Sequence, residues 1–158
     1  LNDDKDKYAE VLRQTERLLD AQLAAEAARD QRALVVVAFS VAAAGFSLRA
    51  ADAGSSAFVW AAVLFAVSAL LGALAALPRE FHGAGYRHET LKGVAARAED
   101  AASLLRSLAA KNDEYIALNA RAGVLMANLY RGAIIVFAIG TLVALVGVAA
   151  AGPEGARS

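Results

Sequence analysis

The run AFVWAAVLFAVSALLGALAAL, Ala57 to Leu77, decides the fold. It carries no charge and is long enough, as a helix, to span the hydrocarbon core of a bilayer. Upstream lies ALVVVAFSVAAAGFSL, Ala33 to Leu48, also free of charge. It rises about 24 Å against a core of about 30 Å, and Arg49 extends it by snorkelling its guanidinium to the boundary. Downstream, AIIVFAIGTLVALVGVAAA runs from Ala133 to Ala151, introduced by Tyr130 and Arg131 and ended by Gly152 and Pro153. Three membrane helices are therefore expected, at 33–50, 57–77 and 133–151. Phe58 and Trp60 are expected at the outer boundary of the second.

The basic residues set the orientation. All 16 Lys and Arg except Arg49 and Arg157 fall in two stretches, 1–32 and 78–132. Basic residues near membrane segments are retained in the cytoplasm, so both stretches should be inside and the tail 152–158 outside. A cleavable signal peptide is not expected, because the first apolar run follows a long charged helix. The 58% apolar content with only 7% aromatic residues points to Ala, Val and Leu helices, hence an all-α membrane protein forming a bundle. The formal charge of zero gives no basic excess for nucleic acid. With no Cys, disulfides and thiolate chemistry are excluded.

Both inside stretches read as helices that continue into the membrane segments after them. In the first, Tyr8, Val11, Leu12, Thr15, Leu18, Leu19, Gln22 and Leu23 recur at helical spacing, with charged residues between them. In the second, Pro78 and Gly83–Ala84–Gly85 mark a turn, and Thr90 is a plausible cap for a helix starting near Leu91. Along that helix Leu91, Val94, Ala98, Ala101, Leu105, Leu108, Asn112, Tyr115, Asn119, Ala122, Met126 and Leu129 alternate by three and four, a heptad seam. Its centre is polar at Asn112, Tyr115 and Asn119, positions that can fix register or oligomeric state. A turn at 111–113 is the competing reading, since Asn and Asp favour turns over helix interiors.

Within the spans, small residues four apart let helix backbones approach closely, above all Gly140 with Ala144 and Gly147 with Ala151. Other such pairs are Ala38 with Ala42, Ala62 with Ala66 and Ala69 with Ala73. The polar side chains are Ser40, Ser47, Ser68 and Thr141, most of them expected to bond their own backbone carbonyls. Ser40, Ser47 and Thr141 are also the candidates to line a wet path if subunits enclose one. No ionisable residue lies within the apolar core of the spans, which argues against a proton relay or a transporter site.

Catalytic and cofactor motifs are absent. His82 and His88 flank the glycine-rich turn, but their spacing with Glu80 or Glu89 matches no standard metal site, and no phosphate loop or Ser-His-acid arrangement exists. No enzyme activity is expected.

The amphipathic helix, the Asp30-Gln31-Arg32-Ala33 junction with the first span, the short hairpin, the cytoplasmic helical insertion and the last span together resemble small bacterial membrane effectors of nucleotide-signalled antiphage defence. These are the Pycsar transmembrane effectors and the related SLATT group. The resemblance implies a homo-oligomer in the bacterial inner membrane that disrupts the bilayer on a cyclic-nucleotide signal. The nucleotide trigger is carried by the resemblance alone. A membrane anchor that docks a soluble protein through its cytoplasmic helices is the alternative, and a small channel a third.

Overall fold

A computed structural model describes residues 2–52, 55–77 and 100–151, with side chains described from Asp6 to Ala150 within those ranges. Among the described residues are three helices and no strand: α1, Asn2–Ala51; α2, Ser56–Ala75; and α3, Ala101–Ala151. Each is long and apolar enough to cross a membrane. The expected turn after Pro78, the cap at Thr90, His82, His88 and the tail 152–158 lie outside the described residues.

Neither α1 nor α3 contains a proline, and both are rich in alanine, the best helix former. Asp100 starts α3: its carboxylate accepts from the Ser103 backbone N–H at 2.7 Å, and its own N–H donates to Ser103 Oγ at 3.2 Å. This is a reciprocal cap in which serine takes the place usually held by Glu or Gln. Downstream, α3 runs unbroken through 111–113, so the turn considered there does not form. The Asn112 amide donates to Thr15 Oγ1 on α1 at 3.0 Å, so it has a partner across the seam while the helix continues.

Contacts divide the chain into two units, Leu1–Ala28 with Arg79–Val124, and Arg29–Pro78 with Leu125–Ser158. In the first, α1 buries Thr15 and Leu19, and α3 buries Leu108, Ala109, Asn112 and Asn119. The cross-helix contacts run in one order along both helices: Arg106 over the Tyr8 ring, Asn112 to Thr15, and Gln22 Nε2 to the Ile116 carbonyl. The two helices are thus parallel in this unit.

In the second unit α2 runs antiparallel to both others. Ser40 meets Ser68, while Val37 lies against Gly72. Likewise Phe65 lies against Gly140, while Phe58 lies against Gly147. The buried positions repeat at seven: Ala33, Ser40 and Ser47 on α1; Phe58, Phe65 and Gly72, with Ala61, Ser68 and Ala75, on α2; and Met126, Ala133, Gly140 and Gly147 on α3. A sustained seven-residue spacing is that of shallow, left-handed packing. Small side chains fill most of this interior and bulky ones point out. Phe46 is 75% exposed and Trp60 65%, whereas Ser40 is 0%. That distribution suits a bundle whose solvent is lipid, where no hydrophobic force drives helices together and close backbone approach does.

Candidate functional site

The feature on which a function can rest is the polar and small-residue seam of each unit. In the second unit Ser68 lies at its centre. Its hydroxyl donates to the Ala133 carbonyl at 2.8 Å and is 3.0 Å from Ser40 Oγ. Two serines and one main-chain carbonyl therefore tie α1, α2 and α3 together. Most of the span hydroxyls were expected to bond their own helix, and Ser40 and Ser68 do not. The seven-residue repeat carries both into the interior, where a neighbouring helix offers a partner. Thr141 does follow the expectation, donating to the Phe137 carbonyl at 3.0 Å.

Three glycines set the distances between helices. A methyl group at Gly72 would stand 2.9 Å from Val37 Cγ2 and 3.4 Å from the Ala33 carbonyl oxygen. At Gly140 it would meet the Phe65 ring at 3.1 Å, and at Gly147 the Ala57 Cβ at 3.2 Å. Gly140 and Gly147 thus act within the chain, as seats for α2. Ala144 is half-buried beside them, and the side chain of Ala151 lies outside the described residues. Of the two aromatics expected at the membrane boundary, Phe58 is buried against Gly147 and Trp60 is exposed. Of the other small pairs, Ala38 and Ala42 are both exposed, so spacing by four does not mark the interior here.

Ser47, Thr141 and Ala144 share the wall of one cavity of about 320 Å³, with Phe65 and Phe137 beside them. Ser40 is not on that wall. A second cavity of about 320 Å³ is lined by Val36, Phe39, Ile134 and Phe137. Phe137 borders both, and its ring packs on Phe65 with centroids 5.2 Å apart.

In the first unit Asn112 and Asn119 are buried and Tyr115 is half-buried, with the Lys111 ammonium 5.2 Å from its ring. Lys111 also pairs with Glu114, whose carboxylate holds the ammonium pKa above its usual value. The backbone and hydroxyl of Ser103 hold the Asp100 carboxyl below its usual range, because both stabilise the charged form. Among the described residues no three His, Cys, Asp or Glu side chains are grouped to hold a metal ion.

Gly72 and the interhelical role of Ser68 are the functional positions that reading by fours misses. Counting by sevens from Phe58 and from Ala61 reaches both. Comparison of the chain with known protein families, characterised proteins and solved structures finds no match.

Proposed function

We propose that this chain is an oligomeric effector of the bacterial inner membrane that impairs membrane integrity when triggered from the cytoplasmic side, with its amino terminus inside. The observation that carries this reading is the continuity of α1 and α3. Each is a single helix that begins in a charged, amphipathic stretch and continues through a charge-free one, 33–48 in α1 and 133–151 in α3. A rotation or slide imposed on the charged half is passed along an unbroken backbone hydrogen-bond ladder to the apolar half. There the packing rests on glycine, alanine and serine rather than on interlocked bulky side chains, an arrangement that favours repacking between copies. The trigger is a cyclic nucleotide or a soluble protein, and nucleotide-signalled antiphage defence is the setting consistent with the sequence resemblance.

Reconstitution tests the proposal. Purified protein in liposomes should self-associate and release an entrapped dye once the trigger is added. Protein that stays monomeric and holds the dye under every trigger tried sinks it.

A second reading is a membrane anchor that docks a soluble partner. It is favoured by Leu18 and Val124, apolar side chains of the first unit that are 55% and 63% exposed. Co-purification of a partner at fixed stoichiometry with an intact membrane would select this reading.

A further inference from the structure

Two cavities follow one another along the crevice between α1 and α3 in the second unit. The first is lined by Val36, Phe39, Ile134 and Phe137, and the next by residues including Ala43, Phe46, Ala144 and Val148. Their walls are mostly apolar; the second also carries Ser47 of α1 and Thr141 of α3, and the Thr141 hydroxyl is committed to the Phe137 carbonyl. From Val36 to Phe46 the crevice extends about 15 Å along α1, half the thickness of a hydrocarbon core of about 30 Å. That is the reach of one acyl chain in one leaflet.

The crevice also has a charged end. Arg32 stands one turn before Val36 and seven residues before Phe39, on the same stripe of α1. Arg131 stands three residues before Ile134 on α3. Both are exposed, and among the described residues neither has an ion pair or hydrogen bond. Side chains on a helix lean toward its amino terminus, so on these two parallel helices both guanidiniums lean away from the apolar crevice, toward the membrane boundary. Asp30, the acid nearest Arg32 in sequence, lies two residues back and so on the far side of α1.

We infer that this crevice is a binding site for an anionic phospholipid, with an acyl chain lying along Val36, Phe39, Ile134 and Phe137 and the phosphate held by Arg32 and Arg131. Guanidinium suits phosphate, because its planar fork meets two oxygens at once. A basic residue at the membrane surface favours an anionic lipid by about fivefold, so the pair favours it by about twenty- to thirtyfold. The inference holds whether the chain is an effector or an anchor.

The test uses the full chain in nanodiscs of phosphatidylcholine and phosphatidylglycerol at four to one, followed by detergent washing and analysis of retained lipid. The retained ratio of phosphatidylglycerol to phosphatidylcholine should rise about twentyfold, from one to four in bulk to about five to one. In R32Q/R131Q, which alters only exposed side chains, the retained ratio should fall to the bulk value. Ala144→Phe, which fills the crevice and leaves both arginines, should lower the total retained. Equal retention of the two lipids by the unaltered protein, or unchanged enrichment in R32Q/R131Q, overturns the inference. So does a disulfide-linked dimer formed by Phe39→Cys in this cysteine-free chain, because it would put a second copy where the lipid should lie.

Discussion

The Ser68 hydroxyl donates to the carbonyl of Ala133, 2.8 Å away on another helix, and stands 3.0 Å from Ser40. Ser68→Ala removes both contacts, while Ser40→Ala removes one and leaves the bond to Ala133. Interhelical hydrogen bonds in membranes average about 0.6 kcal/mol and reach about 1.7, so Ser68→Ala should cost about 1 kcal/mol and Ser40→Ala about half that. Unfolding in mixed micelles measures both. Equal losses would mean that the Ala133 bond contributes nothing.

The glycines separate by position. Gly72→Ala puts a methyl group 2.9 Å from Val37 Cγ2, and Val37 is β-branched with little rotamer freedom to yield. A destabilisation of about 1–3 kcal/mol is expected, as for other overpacked interiors. Gly45 has nothing within 4 Å of the same added atom. There alanine should be neutral or raise stability by up to about 1 kcal/mol through helix propensity. Thermal melts of the two variants in one detergent compare them directly.

Thr15 and Asn112 form a coupled pair in the first unit. A double-mutant cycle through Thr15→Val and Asn112→Ala should report a coupling of about 0.5–1.5 kcal/mol. Asn112→Leu carries a different expectation. It removes a polar group from a heptad seam, so stability should hold or rise while register or oligomeric state becomes mixed. Sedimentation in density-matched detergent detects the mixture.

The start of α3 responds to acid. Asp100 has a folded pKa below its ordinary value of 3.8 because Ser103 bonds the charged form. A depressed carboxyl pKa adds stability that is fully present above the unfolded value and is lost as pH falls through the folded one. The first turn of α3 should therefore hold at neutral pH and fray below about pH 4. In D100N that acid-dependent fraying should disappear. Amide chemical shifts of Ala102 and Ser103 followed from pH 6 to 2 show it.

Much of this fold is legible in the sequence, because charge and hydropathy act locally. The three apolar runs, the two charged helices leading into them and the polar positions Asn112 and Asn119 all follow from counting along the chain. What escapes is which neighbour a residue meets. Asn112 in isolation suggests a turn, whereas in the helix its amide meets Thr15 across the seam. The interior of the second unit is concealed for a related reason. Alanine is so common in the spans that pairs four apart occur at Ala38 and Ala42, which face outward, as readily as inside. The repeat of seven becomes visible only when Ser40, Ser68 and Gly72 are seen turned toward other helices. Phe58 shows the same limit, since the sequence does not say that its ring seats against Gly147.

The inside-out distribution of bulk constrains how the protein is made. With Phe46, Trp60 and Val146 outward and serine, alanine and glycine inward, no water-soluble precursor could shelter its apolar surface in its own interior. The spans must be handed to lipid as they are synthesised, and their partners arrive in chain order. Ser40 waits for Ser68, and Ser68 waits for the carbonyl of Ala133, which reaches the bilayer last. Until α3 is inserted the hairpin of α1 and α2 holds a hydroxyl with only another hydroxyl to bond. Completion of the last helix thus supplies the carbonyl that joins all three helices of the bundle.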